Sequence, residues 1–123
     1  YYVNDNGMLY HLLARASLGA AFEQTVYRHF HDTSESVFFY YENQREIDFV
    51  VTHEKTRQLW EAKYTIGKNL HDEVKKYLPV VLELKTASLH IVTADTETSF
   101  IKDGISITAI PLWKLLLQQK HTP

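Results

Sequence analysis

Cysteine is absent from the 123-residue chain. That excludes disulfides and thiolate metal sites, and it agrees with a reducing cytoplasm, the location expected for this protein. A basic excess is also missing. Thirteen Lys and Arg stand against fifteen Asp and Glu, giving a net charge of −2 and a pI near 6.4. Proteins that hold duplex DNA unaided neutralise its phosphates with a surplus of Lys and Arg. Any contact with nucleic acid must therefore be local, assisted by a metal ion, or shared with another domain. No apolar run is long enough to span a bilayer; the longest, "YLPVVLEL", contains Pro79 and Glu83. No membrane association is expected. No basic segment followed by an apolar stretch opens the chain, so nothing indicates secretion. Repeats and low-complexity stretches are lacking as well.

What remains is an ordinary globular composition, 45% apolar and 13% aromatic. By length, residues 1–123 make one domain, large enough to bury a core. The chain begins abruptly with "YYVNDNGMLYHLL", where Asn4-Asp5-Asn6-Gly7 is a turn cluster and Leu9, Leu12 and Leu13 start a helical pattern. This opening suggests a piece of a longer protein. From Ser17, a plausible cap, to Phe30, apolar residues recur every four positions at Leu18, Phe22, Val26 and Phe30, the pattern of an amphipathic helix. The polar "HDTSES" is expected to end it.

Val37–Tyr41, Glu46–Val51 and Gln58–Tyr64 read as three strands of an antiparallel meander, joined by turns at "ENQR" and "THEKTR". A helix follows from about Asn69 to Leu78, with Leu70, Val74, Tyr77 and Leu78 on one face, and Pro79 kinks it or starts a new turn. Leu89–Thr93 is a buried strand, "ADTETSFIKDG" a loop, and Ile105–Ile110 a further strand. Pro111 is placed to open the last helix, "LWKLLLQQ". The expected order is helix, three strands, helix, strand, strand, helix. The fold class is α/β or α+β, a mixed central sheet flanked by helices.

Charge sits inside two of these strands, at Asp48 in "IDFVV" and at Glu61 and Lys63 in "LWEAKY". Side chains alternate along a strand, so Glu61 and Lys63 share a face, while Trp60, Ala62 and Tyr64 point to the other and can fill the core. Asp48 is expected to project opposite both of its neighbours, Ile47 and Phe49. A short turn then brings it beside Glu61. Two adjacent carboxylates repel unless a cation sits between them. A hard divalent ion such as Mg²⁺ relieves that conflict, polarises a phosphoryl group and lowers the pKa of water. Lys63 can orient the attacking water or neutralise the developing charge. Glu23 stands at the border of the first helix's apolar face, and Gly19 and Ala20 are expected to let that helix approach the sheet closely.

Asp48, then Glu61-Ala62-Lys63 on the next strand, preceded by a helix bearing Glu23, resembles the PD-(D/E)XK nuclease superfamily. Ile47-Asp48 replaces that family's Pro-Asp. Nearly the whole chain looks like the uncharacterised domain at the C-terminus of a bacterial and archaeal group of AAA-type ATPases. The matching pieces are "YYVNDNGML", "LGAAFEQTVYRHF", "YYENQREIDFVV", "LWEAKY" and "AIPLWKLL". The resemblance implies a restriction-endonuclease-like core, with metal (Mg²⁺ or Mn²⁺) at Asp48, Glu61 and the backbone carbonyl of Ala62. It also implies catalytic roles for Glu23, Asp48, Glu61 and Lys63, DNA as substrate, and an upstream ATPase domain with a winged-helix segment. The chain itself has no phosphate-binding loop; Gly67-Lys68 lacks the upstream glycine.

An isolated E-x-K carries little, because alternating charge is common on a solvated strand face. Asp48 and Glu23 are what lift it above that background. His29 and His31 lie on different sides of a helix, and a helix-terminal, partly exposed role is expected for both. Lys68, Lys75 and Lys76 can reach phosphates, although lysines on a helix's polar face are usually just solvated. Trp60, Trp113 and the tyrosines are expected to build the core and its rim. Two functions stay open: a metal-dependent nuclease domain, or a catalytically silent docking or regulatory module of the ATPase with the same fold.

Overall fold

A computed structural model describes residues 18–64, 66 and 69–119. The expected cap at Ser17, the turn at Asn4–Gly7, the early leucines and Lys68 lie outside them. Helix α1 (Leu18–Thr33) buries Phe22, Val26 and Phe30 as a single stripe. It runs past Phe30, beyond the expected end. Its last turn is secured by side chains of the supposed loop: Thr33 Oγ1 donates to the His29 carbonyl at 2.8 Å, and Ser34 Oγ donates to that of Phe30. Gly19 and Ala20 do not bring helix and sheet together. Both are exposed, and the space beside Gly19 is open.

Strands β1 (Ser36–Glu42), β2 (Arg45–His53) and β3 (Thr56–Lys63) form the meander. Both hairpins turn on two residues of positive φ, Asn43-Gln44 and Glu54-Lys55. Left-handed pairs of this kind match the twist of the flanking strands. The single helix expected after β3 is broken into α2 (Leu70–Glu73), a 3₁₀ turn (Val74–Tyr77) and α3 (Leu78–Glu83). Asn69 caps α2 by accepting from the His71 N–H at 2.9 Å. Pro79 stands in the first turn of α3, where its missing N–H costs nothing.

Then come β4 (Ser88–Thr93), β5 (Thr98–Lys102), β6 (Ile105–Pro111) and α4 (Leu112–Gln119). Strand β5 replaces part of the expected loop, and Pro111 closes β6 instead of opening α4. The six strands lie in the order β1-β2-β3-β4-β6-β5. The β3–β4 and β4–β6 pairs are parallel and the others antiparallel, so the sheet is mixed.

Helices cover both faces. Leu70, Val74, Tyr77, Val80 and Val81 pack over Val50, Leu59, Leu89, Ile91 and Ile107 on one side. Phe22, Val26, Phe30 and Leu115 pack over Phe49, Trp60, Val92 and Ile110 on the other. Trp60 belongs to this second layer as expected, but Trp113 is 59% exposed and contributes no core. No helix among the described residues is long and apolar enough to cross a membrane.

Candidate active site

Backbone pairing between β2 and β3 runs from His53↔Thr56 to Phe49↔Trp60. One step further, Asp48 and Glu61 stand opposite each other, and side chains take over from the ladder. Glu61 Oε1 accepts from the Asp48 N–H at 2.8 Å, and Asp48 Oδ2 accepts from the Ala62 N–H at 3.0 Å. Each carboxylate thus occupies a backbone donor on the other's strand.

The local cause is a β-bulge. Phe38 pairs with Val50 and Tyr40 with Ile47, so Asp48 and Phe49 together face the single residue Phe39. Ile47 and Val50 consequently pack in the same core layer and Phe49 in the other. Strict alternation, which would have put Ile47 and Phe49 on one side and Asp48 on the other, fails here. The bulge re-aims Asp48.

A second expectation also needs correction. The face of β3 that carries Glu61 is not set aside for charge, because Leu59 on that face is fully buried beneath α2 and α3. Glu61 itself is 5% exposed. Burial first, and then the negative charge of Asp48, push its carboxyl up to about 9, so that it holds a proton at neutral pH. Tyr77, on the 3₁₀ turn above it, is hydrogen-bonded to the Glu61 carboxyl. From the sequence, Tyr77 is expected only to fill the core. Its spacing with Leu70 and Val74 predicts burial, but nothing in the spacing reveals which polar group its hydroxyl meets.

Glu23 is half-buried on α1 and lines the same cavity as Asp48, of about 640 Å³, together with Tyr27, Val37, Phe38, Phe39 and Phe49. Its pKa is raised by burial first and then by Asp48 and Glu46. Lys63 is half-buried two residues beyond Glu61 and forms no ion pair with either carboxylate. Lys75 is paired with Asp72 at 3.2 Å, and Lys76 lies over the Tyr77 ring at 5.1 Å. His29, expected to be partly exposed, is buried, and burial lowers its pKa; His31 is exposed beside Asp32.

A carboxyl kept protonated first by burial and then by its neighbour's charge belongs to a pair whose conflict a cation would relieve in place of the proton. In a strand, the N–H and C=O of one residue point to the same side. Since the Ala62 N–H meets Asp48, the Ala62 carbonyl faces that same gap. The donor set is two carboxylates and a carbonyl, all oxygen. Among the described residues no three Asp, Glu or His side chains gather into a metal-holding cluster.

A comparison with curated proteins finds no match. Three chains among the solved structures match. One of them is the small subunit of the heterodimeric restriction endonuclease R.BspD6I. It is 18% identical, with a TM-score of 0.58, over 95% of this chain and 77% of that one. The architecture is therefore restriction-endonuclease-like: a mixed six-stranded sheet between helices. A family model described as a domain of unknown function, DUF4143, matches residues 18–115, from α1 through the first half of α4. The chain belongs to the DUF4143 family.

Proposed function

We propose that this chain is a metal-dependent nuclease domain that hydrolyses phosphodiester bonds in DNA, working beside an upstream AAA-type ATPase in the cytoplasm. The observation that carries the reading is the reciprocal crossing of Asp48 and Glu61 where the β2–β3 ladder ends. Two carboxylates driven together inside a fold, at a cost in stability, call for a purpose such as holding a cation. The fold shared with a restriction endonuclease subunit supports the reading.

Asp48, Glu61 and the Ala62 carbonyl would hold Mg²⁺ or Mn²⁺. The ion supplies charge stabilisation at the phosphoryl group and a more acidic water. The chain's own residues do the rest. Asp48, anchored by the Ala62 N–H, keeps its second oxygen for the ion. Glu61 must release its proton, and Tyr77 then stabilises the carboxylate form by donating to it. Glu23 receives a proton readily, because burial first and then the charge of Asp48 raise its carboxyl. Lys63 orients the attacking water and offsets negative charge on the phosphate.

A docking or regulatory role without catalysis is the second reading. The net charge of −2 and the unpaired geometry of Lys63 with respect to both carboxylates favour it. One experiment separates the two: Mg²⁺ and Mn²⁺ binding together with cleavage of single-stranded, duplex and branched DNA, for the native chain and for Asp48→Ala and Lys63→Ala. Metal-dependent cleavage lost in both variants supports the nuclease. Cleavage that survives both substitutions sinks the site assignment, and absence of both binding and cleavage leaves the docking role.

A further inference from the structure

The two edges of the sheet are built differently. At one edge, β5 is five residues long and ends in Lys102, and its Phe100 is covered by a stacked His71 ring at 3.8 Å. Short length and lysine are common ways of keeping an edge from pairing with another chain. At the other edge, β1 has seven residues, "SVFFYYE", with no proline and no lysine. Its Phe38, Phe39 and Tyr41 are 48%, 57% and 61% exposed. Strand β1 pairs only with β2, and among the described residues nothing pairs with its outer side. A row of unpaired backbone donors and acceptors takes an extended strand as its partner, not a helix.

The order of residues in β1 indicates which strand. Antiparallel pairing with a second β1, centred on Phe39, sets Ser36 against the partner's Glu42 and Val37 against the partner's Tyr41. It sets Phe38 against the partner's Tyr40, and Phe39 against its own copy. The only charge in the strand, Glu42, meets a serine at each end, so no like charges oppose one another. All central pairs are aromatic or β-branched, the combinations that stabilise cross-strand contacts best.

We propose that β1 is the surface through which two copies of this chain associate, pairing antiparallel about a two-fold axis at Phe39 to form one continuous sheet. The bulge places Asp48 beside Phe39, close to that axis. The two Asp48 residues then lie on either side of it, three strand spacings or about 14 Å apart, with the two Glu61 residues one strand further out on each side. On the nuclease reading given above, this sets two cutting sites side by side for the two strands of a duplex. The pairing itself does not depend on that reading.

The test is sedimentation equilibrium on the 123-residue chain with Phe39→Lys, Phe39→Glu and an equimolar mixture of the two. Phe39 is outside both core layers, so the variants keep the fold, which circular dichroism verifies. The expected result is a native dimer, a dissociation constant raised about tenfold or more in each single variant, and recovery in the mixture, where lysine faces glutamate. A native chain that stays monomeric well above micromolar concentration overturns the proposal. So does a dimer that Phe39→Lys leaves unchanged, or a mixture that associates no better than its components. DNA cleavage is read separately and on the native chain only, because Phe39 lines the cavity of Glu23 and Asp48; a native dimer that cleaves no DNA counts against the nuclease reading alone.

Discussion

The two ends of the β2–β3 ladder are held by different means. At the turn, Thr52 pairs with Arg57 and His53 with Thr56, and the chain reverses on Glu54 and Lys55, both with positive φ. At the far end, pairing stops at Phe49 and Trp60, and two carboxylates complete the backbone hydrogen bonding in its place. The first end is local and exposed. The second joins residues thirteen and fourteen positions apart and keeps an ionisable group out of water. A turn of this sort serves the fold alone. A buried acid beside a second carboxyl lowers stability wherever it must ionise, and on the proposed reading a cation makes that ionisation favourable.

Asp48→Ala breaks the contrast most severely. It leaves the half-buried Ala62 N–H without its acceptor, at a cost of about 1 kcal/mol, and removes the charge that helps keep Glu61 protonated. We expect metal-dependent cleavage to fall to background and the urea midpoint to drop. Full activity in this variant would place the chemistry elsewhere.

Glu61→Gln sharpens the contrast by keeping the hydrogen bonding while removing the acid. The Glu61 carboxyl is raised from 4.5 to about 9 in the fold. The folded state therefore holds a proton that the unfolded state has released, and stability falls as pH rises from 4.5 towards 9. Glu23, whose pKa is also raised, acts in the same direction. Melting temperature against pH should decline for the native chain over this window and be flatter for Glu61→Gln, which should melt higher on the alkaline side. Parallel profiles for the two proteins would mean that Glu61 ionises as freely as in the unfolded chain.

Mg²⁺ tests the same end by restoration. It should raise the native melting temperature through selective binding to the folded state, with little effect on Glu61→Gln. The smallest effect belongs to the turn. Lys55 sits at φ 68, and Lys55→Gly relieves that conformation for a gain of about 0.5 kcal/mol, offset in part by greater freedom of the unfolded chain. This gain should not vary with pH or Mg²⁺. If it does, the two ends are coupled.

Much of this fold is legible in the sequence because its signals are local. The four-residue recurrence of Phe22, Val26 and Phe30 marks α1, and alternation separates Trp60 from Leu59 into the two core layers. Strand β5 carries little signal in the sequence, because only Phe100 and Lys102 on it are even partly buried, leaving almost no apolar alternation. The cue was the next dipeptide, Asp103-Gly104, at φ 51 and 79, which makes the β5–β6 hairpin turn. The bulge at Asp48 left no local mark, because it appears only in how β1 and β2 register. For the same reason the neighbouring side chains were expected on the wrong faces. Tyr77 over Glu61 and the buried His29 are likewise products of packing between distant elements.

Titration calorimetry with Mn²⁺ near neutral pH, in two buffers of different ionisation enthalpy, tests the central claim most directly. The native chain should bind one ion and release close to one proton, the one held by Glu61, whereas Glu61→Gln should bind far more weakly and release none. A folded native chain that binds no Mn²⁺, or binds it without proton release and equally well in Glu61→Gln, would contradict a cation site built on Asp48 and Glu61.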